Sequence, residues 1–187
     1  MRRLNEPVLP DILEPGLRVV FCGSAAGAVS ARLGAYYAGP GNRFWPTLFS
    51  VGLTPRLLAP AEFPTLPSYG LGLTDMAKHV SGADAALPRG CDDPAGLARR
   101  IRAVRPRILA FTAKRPARVF LKRQFGLDTV PYGAQPVTLD AIRLFVLPSP
   151  SGLAVRYWDI GPWRDLAAAA RDEDDAAPGR RTSKGTA

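Results

Sequence analysis

The sequence has few residues that could bind a metal or form disulfides. Its 187 residues include two cysteines, Cys22 and Cys91, and a single histidine, His79. Two cysteines cannot on their own complete a four-ligand zinc or iron–sulfur site, and Cys22 lies in an apolar run that is typical of buried packing. We therefore expect no metal and no other cofactor, and we expect a reducing compartment, the cytoplasm.

Long apolar runs are missing as well. No stretch approaches the roughly 18 apolar residues that a membrane-spanning helix needs. Residues 1–16 contain two arginines but no apolar segment like that of a signal peptide. The sequence therefore predicts neither a membrane span nor a signal peptide.

Acidic residues are outnumbered by basic ones. There are 16 aspartates and glutamates against 25 lysines and arginines, which gives a net charge of +9. Such a charge favours a polyanionic partner, nucleic acid first and an acidic membrane surface second. The alternative is that an arginine-rich composition reflects the codon usage of the source and has no binding role.

Short apolar runs alternate with helical patterns along the chain. Strands are predicted at residues 17–22, 71–76, 107–112 and 141–147, and helices from Asn42, at 92–104, at 116–125 and from about residue 162. This alternation predicts an α/β fold, a three-layer α/β/α sandwich around a mostly parallel sheet of four to five strands. We expect one domain over residues 1–175 and a basic, disordered tail at 176–187.

Two loops directly follow predicted strands. The first, which we call the glycine-rich turn, consists of Gly23, Ser24, Ala25, Ala26 and Gly27. The second, which we call the serine-rich loop, consists of Ser149, Pro150, Ser151, Gly152 and Leu153. Ligands of parallel α/β sheets bind beyond the carboxyl ends of the strands, so these loops are the first candidates for a functional site.

Four stretches in a fixed order carry a family resemblance. The glycine-rich turn is followed at a fixed distance by Asn42-Arg43-Phe44-Trp45, then by YGLGLTDMAK at residues 69–78, and finally by the serine-rich loop. Over residues 11–173 the chain resembles the uracil-DNA glycosylase superfamily, and it is most similar to the mismatch-specific uracil- and thymine-DNA glycosylases. The alternative is that these motifs are generic turns of an α/β protein.

The resemblance implies a DNA-repair enzyme that hydrolyses the N-glycosidic bond of uracil flipped out of DNA. Its partner would be DNA containing uracil or another deaminated base, and it would act as a monomer associated with the bacterial nucleoid. A non-catalytic binder of uracil-containing or abasic DNA is the alternative. A nucleotide-binding protein is a weaker reading, because the phosphate-binding motifs G-K-[ST] and G-x-G-x-x-G are both missing.

The resemblance also implies roles for individual residues. Leu153 would wedge into the base stack, unless it is a core leucine, and the rest of the serine-rich loop would contact DNA phosphates. Tyr37 would stack on the extruded base, with Tyr36 as the competing candidate. Backbone N–H groups of the glycine-rich turn would stabilise the departing base, and Asn42 would help to bind the substrate. Basic residues at 114, 115, 118 and 122 share a helix face that either adds to the DNA footprint or is simply solvated.

The chain departs from the family at the residues that perform cleavage. Ala25 replaces the asparagine that holds the attacking water, and Ser149 replaces the asparagine of the second motif. We therefore predict that Asp75 is catalytic, either partly protonated and reading the base, or ionised and facing water and the sugar; the alternative is a turn aspartate. His79 could pair with Asp75 if the segment is helical, or it could be a surface histidine.

Overall fold

The computed structural model describes residues 6–175. Five strands are present in this range: β1 (Val19–Gly23), β2 (Leu71–Asp75), β3 (Ile108–Phe111), β4 (Gly133–Leu139) and β5 (Ile142–Val146). The five α-helices of the same range are α1 (Ala28–Leu33), α2 (Phe44–Ser50), α3 (Pro94–Val104), α4 (Lys114–Phe125) and α5 (Gly161–Asp175). Three 3₁₀ helices complete the described elements, at Pro60–Tyr69, Asp84–Ala86 and Val155–Tyr157.

The strands form one sheet in the order β2-β1-β3-β5-β4. β1 pairs in parallel with β2 and β3, and β3 pairs in parallel with β5, whereas β4 runs antiparallel to β5. The four predicted strands are the four parallel ones. Their near-continuous apolar character follows from burial on both faces, because helices cover both sides of such a sheet.

Two hydrophobic cores lie on opposite faces of the sheet. Val19 and Phe21 of β1 point into one core with α2 and α5, while Val20 and Cys22 point into the other with α3 and α4. The alternation arises because successive side chains of a strand point to opposite faces. The architecture confirms the predicted three-layer α/β/α sandwich with a mostly parallel sheet.

Some elements were not predicted. β4 escaped prediction because its residues alternate between partly buried and exposed, and because Pro136 lies within it. An edge strand tolerates proline, since one side of its backbone needs no partner. The stretch that follows the glycine-rich turn, expected to be a loop, contains the short helix α1.

The segment before β1, described from residue 6 onward, adds backbone pairing to β2 at the edge of the sheet opposite β4. Ile12 and Leu73 exchange two backbone hydrogen bonds of 2.9 and 3.0 Å in an antiparallel bridge. The predicted basic tail at 176–187 lies outside the described residues. Between residues 6 and 175, no helix combines the length and the apolar character needed to cross a bilayer.

Candidate active site

A cleft of about 940 Å³ opens at the carboxyl ends of the four parallel strands. Both predicted loops line it, which is the position expected for a ligand site in this class of sheet. The candidate residues of the sequence analysis that line the cleft are Gly23, Ser24, Ala25, Ala26, Gly27, Tyr37, Asn42, Asp75, Ser149, Pro150, Ser151, Gly152 and Leu153. The fold thus brings together all of these candidates, although they are spread over 131 positions of sequence.

The glycine-rich turn and the end of β2 form one wall of this cleft. Gly23 and Asp75 are register partners at the last position of β1 and β2. The carbonyl groups of Gly23 and Ser24 accept hydrogen bonds of 2.9 and 2.8 Å from the backbone N–H groups of Met76 and Ala77. The turn is therefore fixed directly to the segment that carries Asp75.

Asp75 has a buried carboxyl group, and no side chain of the described residues donates a hydrogen bond to it. It is 4% exposed. Burial is the main cause that raises its pKa to about 7; Asp11 also raises this pKa, whereas Lys78 and Arg100 lower it. Burial has this effect because a low-dielectric environment disfavours the charged form of a carboxyl group. Near neutral pH the group therefore populates both its protonated and its ionised form.

A cluster of three charged residues, Asp11, Lys78 and Arg100, lies next to Asp75. Asp11 forms ion pairs with both cations: Lys78 Nζ lies 2.7 Å from its Oδ1 atom and Arg100 Nε lies 3.2 Å from its Oδ2 atom. Arg100 Nη2 also donates to the backbone carbonyl of Asp75 at 3.1 Å. The carboxylate of Asp11 thus engages both cations, which would otherwise act on Asp75 without a counterion.

Tyr37 is partly buried and lines the cleft with an aromatic ring that is fixed by stacking. Its ring lies parallel to that of Phe44, with centroids 3.9 Å apart, and its hydroxyl is 3.1 Å from Thr112 Oγ1. Its backbone is left-handed, with φ of 53°, which is uncommon for a residue other than glycine. Burial, followed by the Asp75 carboxylate, raises the pKa of Tyr37 well above its ordinary value, so the phenol is neutral.

The competing aromatic residue, Tyr36, is buried and its hydroxyl is used in contacts within the protein. It is 2% exposed, and its hydroxyl donates to the carbonyl of Pro10 at 3.1 Å and accepts from Lys78 Nζ at 3.2 Å. These contacts connect the segment before β1, which contains Pro10, to the loop that contains Tyr36. Of the two tyrosines, Tyr37 is the more accessible within the cleft.

The Asn42–Trp45 motif is bonded to the serine-rich loop. Asn42 Oδ1 accepts from the Phe44 backbone N–H at 2.9 Å. The helix α2 begins at Phe44, with Arg43 at its N-cap position, and not at Asn42 as predicted. Arg43 donates its backbone N–H to the carbonyl of Pro150 at 2.8 Å. Because a Cβ atom on Gly152 would lie 2.8 Å from the carbonyl oxygen of Pro40, glycine is required for this close approach.

Leu153 projects from the serine-rich loop into solvent. It is 89% exposed, so the alternative of a core leucine is wrong. Ser149 and Ser151 support the loop through their Oγ atoms, which accept from the backbone N–H groups of Ser151 and Leu153, each at 3.3 Å. Each hydroxyl keeps its own proton for a further acceptor such as a phosphate oxygen.

The expected pairing of His79 with Asp75 is not formed. Residues 76–79 form bends instead of a helix, so the four-residue spacing does not bring the two side chains together. His79 is exposed and does not line the cleft. The neighbouring Lys78 takes the inward position, which fits the alternative of a surface histidine.

Four residues near the site were not singled out from the sequence: Asp11, Lys78, Arg100 and Thr112. Thr112 ends an apolar strand at the edge where ligands bind, and this placement was a usable signal. Lys78 follows an apolar segment and is 8% exposed, whereas nothing in the local sequence distinguishes Asp11 or Arg100 from surface charges. Among the residues that the structure describes, no three His, Cys, Asp or Glu side chains gather as metal ligands.

Known proteins resemble the chain in both sequence and fold. The model of the family described as the uracil DNA glycosylase superfamily matches residues 10–169. A solution NMR structure of a candidate uracil DNA glycosylase from Methanosarcina acetivorans superposes with a TM-score of 0.58 at 24% identity, covering 88% of this chain and 96% of that one. The structural match shows the shared fold, and similarity to the mismatch-specific branch remains a prediction. Because the family match spans all five strands and both loops, the chain belongs to the uracil DNA glycosylase superfamily.

Proposed function

We propose that the protein is a monofunctional DNA glycosylase that hydrolyses the N-glycosidic bond of uracil flipped out of DNA and leaves an abasic site. The observation that carries this proposal is Asp75, a buried acid with a pKa of about 7 in a cleft that it shares with Tyr37 and the glycine-rich turn. A general base is most effective when its pKa lies close to the working pH. The proposal takes the protein to be a monomer acting on DNA.

Extrusion of the base requires a group that fills the space left in the duplex. Leu153 is suited to this role because it is almost fully exposed at the tip of the loop that borders the cleft. Apolar side chains that insert between base steps lower the cost of unstacking. The hydroxyl groups of Ser149 and Ser151 would hold phosphates on either side of the flipped nucleotide.

The extruded base would lie against the free face of Tyr37. Phe44 covers the other face of that ring and fixes its orientation. Stacking on an aromatic face selects planar bases without reading their sequence. Backbone N–H groups of the glycine-rich turn would donate to the base as it leaves with negative charge.

In its ionised form, Asp75 would accept a proton from the attacking water while the sugar carries positive charge. The carboxylate would also stabilise the oxocarbenium-like sugar electrostatically. A protonated Asp75 could instead donate to the base. We assign hydrolysis to the ionised form, because only that form can accept the proton of water.

Hydrolysis without a lysine intermediate agrees with the position of Lys78. Its Nζ atom is held by Asp11 at 2.7 Å and by the carbonyl of Leu9 at 2.8 Å, and Lys78 does not line the cleft. An amine held in this way outside the cleft is not presented to a sugar in the cleft, as Schiff-base chemistry requires. The proposed enzyme therefore has no lyase step.

The test is release of uracil from oligonucleotides with one uracil opposite guanine or adenine, or in a single strand. Excess enzyme and alkali cleavage of the product would give single-turnover rates. We expect release by the native protein and a loss of about 100-fold or more in Asp75→Ala, the scale of removing a general base. Asp128→Asn, which changes an exposed aspartate paired with Lys122, is the matched control. No release at micromolar enzyme, or full activity of Asp75→Ala, would contradict the proposal.

Ala25 favours a second candidate function, a binder of uracil-containing or abasic DNA without turnover. Its side chain lines the cleft and can neither donate nor accept a hydrogen bond. This function predicts tight, damage-dependent binding by the native protein and cleavage only after Ala25→Asn. Efficient turnover by the native protein would exclude it. Parallel substrates with hypoxanthine, xanthine or thymine in place of uracil would identify the preferred base.

A further inference from the structure

We infer that a surface next to the cleft, formed by Lys114, Arg118, Tyr132 and Tyr157, is a second DNA-binding site that holds unpaired DNA beside the flipped nucleotide. We call this surface the aromatic–basic patch. The inference rests on the proposed function only in taking DNA as the partner. The patch would accept a single-stranded DNA segment whose bases are free to stack.

The two aromatic residues of the patch are unusually accessible. Tyr157 is 71% exposed and Tyr132 is 38% exposed. Arg118 and Tyr157 both act on the phenol of Tyr132: after burial, which raises its pKa, Arg118 lowers it and Tyr157 raises it. The two rings and the guanidinium group of Arg118 therefore belong to one surface.

The two basic residues of the patch differ from their neighbours on α4. Arg115 is held by Asp92 through hydrogen bonds of 3.0 and 2.9 Å, and Lys122 is held by Asp128 at 2.7 Å. Lys114 and Arg118 have no acidic partner among the residues whose side chains the structure describes. Of these four cations on α4, two are paired with an aspartate and two have a charge that remains available to an anion.

Lys114 is directed to the aromatic part of the patch. Its Nζ atom lies 4.3 Å from the centroid of the Tyr132 ring, a cation–π distance. Arg118 follows four residues later, on the same side of the helix. One cation of the patch therefore contacts its aromatic part directly, and the second lies one helical turn away on the same side of α4.

The patch begins where the cleft opens. Thr112 and Ala113 line the cleft and directly precede Lys114, and Tyr157 lines the cleft at its outer side. Tyr157 follows Leu153 four positions later in one short segment. A strand whose flipped nucleotide occupies the cleft would consequently pass over the patch.

An exposed ring next to an unpaired cation fits single-stranded DNA better than duplex DNA. In a duplex the bases cover each other, so a flat phenol ring on the protein meets mainly sugars and phosphates. An unpaired base offers both of its faces, and stacking on an aromatic side chain tolerates any sequence. The arrangement of rings between cations is typical of grooves that bind single strands.

The experiment measures binding of oligonucleotides without uracil or any other damaged base, so that it does not depend on cleavage. Fluorescence anisotropy would compare a single strand, the matched duplex and a duplex with a central unpaired bubble. We expect Tyr157→Ala, and Tyr132→Ala likewise, to weaken binding to the single strand and the bubble about tenfold, and to weaken duplex binding less than threefold. Tyr157→Phe and Tyr132→Phe, which keep the ring, should bind as the native protein does.

The basic residues are tested by the dependence of binding on salt. Lys114→Gln and Arg118→Gln should each reduce the slope of log affinity against log salt by about 0.7 on a single strand. Lys122→Gln, a neighbouring cation already paired with Asp128, is the control and should leave the slope unchanged. Circular dichroism of each variant would verify folding.

Equal losses on single-stranded and duplex DNA, or no loss in the alanine variants, would overturn the inference. These outcomes are separate from the fate of the proposed function. A protein that releases uracil normally but binds single strands independently of Tyr132 and Tyr157 would refute the patch alone. A protein that binds as expected but never releases a base would refute the glycosylase and leave the patch in place.

Discussion

Gly23 and Asp75 approach each other so closely that a methyl group on residue 23 would lie 2.6 Å from Asp75 Oδ1. The two residues are register partners at the ends of β1 and β2, and the backbone of Met76 is bonded to the carbonyl of Gly23. The absence of a side chain at position 23 therefore creates the space in which the carboxylate lies.

Gly23→Ala is expected to displace the Asp75 carboxylate from its present position. We expect base release to fall at least tenfold, while overpacking reduces the free energy of unfolding by about 1–3 kcal/mol. Single-turnover kinetics and thermal unfolding would measure the two effects. Asp128→Asn, an exposed change at a residue that does not line the cleft, is the control. An unchanged rate in Gly23→Ala would show that the position of the carboxylate is unimportant.

Asp75 is expected to reduce stability at neutral pH. Burial raises its pKa from 3.8 to about 7, so between these values the folded chain keeps a proton that the unfolded chain releases. Because the unfolded chain then binds fewer protons, the stability contributed at this position falls as pH rises. The full effect above pH 7 is roughly 4 kcal/mol at most.

Asp75→Asn removes this cost and should raise the melting temperature by several degrees at pH 8, with little change near pH 3.5. Thermal scans of the variant and the native protein at the two pH values would test it. The exposed Asp128→Asn should leave the difference between pH 8 and pH 3.5 as in the native protein. A gain in Asp75→Asn of the same size at both pH values would mean that its origin is not the ionisation of Asp75.

Asp11→Asn is expected to shift the pH dependence of base release towards acid. The substitution removes a negative charge that raises the pKa of Asp75, and it frees Lys78 and Arg100, which both lower that pKa. If the ionised form of Asp75 is active, the rising limb of the pH–rate profile moves to lower pH. A uniform loss of rate with an unchanged midpoint would instead indicate a purely structural role for Asp11.

Leu153→Ala is expected to affect capture of a paired base without affecting stability. Because the side chain is 89% exposed, its removal should change the melting temperature by less than about 1 °C. We expect kcat/KM for uracil in a duplex to fall about tenfold, whereas activity on single-stranded uracil, which needs no wedge, should persist. Leu57→Ala, a change of another exposed leucine, serves as the control. Equal losses on both substrates would contradict the wedge role.

The parallel strands could be predicted because each is buried on both faces and reads as a short apolar run. The loops at their ends could be located for the same reason. Asp75 was singled out because it lies in a segment that resembles the family and at the end of one of these runs. Each of these inferences uses residues that are close in sequence and a rule about where such sheets bind ligands.

The environment of Asp75 could not be predicted in the same way. Asp11 reaches Lys78 and Arg100 through contacts that span 67 and 89 residues of sequence, and local patterns do not report such contacts. His79 was assigned by helical spacing, which failed because the chain bends after β2. The distinction between Lys114 and Lys122 on α4 likewise depends on the location of aspartates elsewhere in the fold.

The backbone pairing of Ile12 with Leu73 has a consequence for solubility. β2 is the outermost strand on its side of the sheet, and an uncovered outer strand offers N–H and C=O groups to any other chain. Ile12 occupies part of this edge by pairing with Leu73. Its neighbour Asp11 pairs with Lys78 and Arg100, the two cations that act on Asp75. One short segment thereby protects the protein from edge-to-edge aggregation and also opposes the two cations that lower the pKa of Asp75. Removing this segment should therefore cause insolubility and lower the pKa of Asp75.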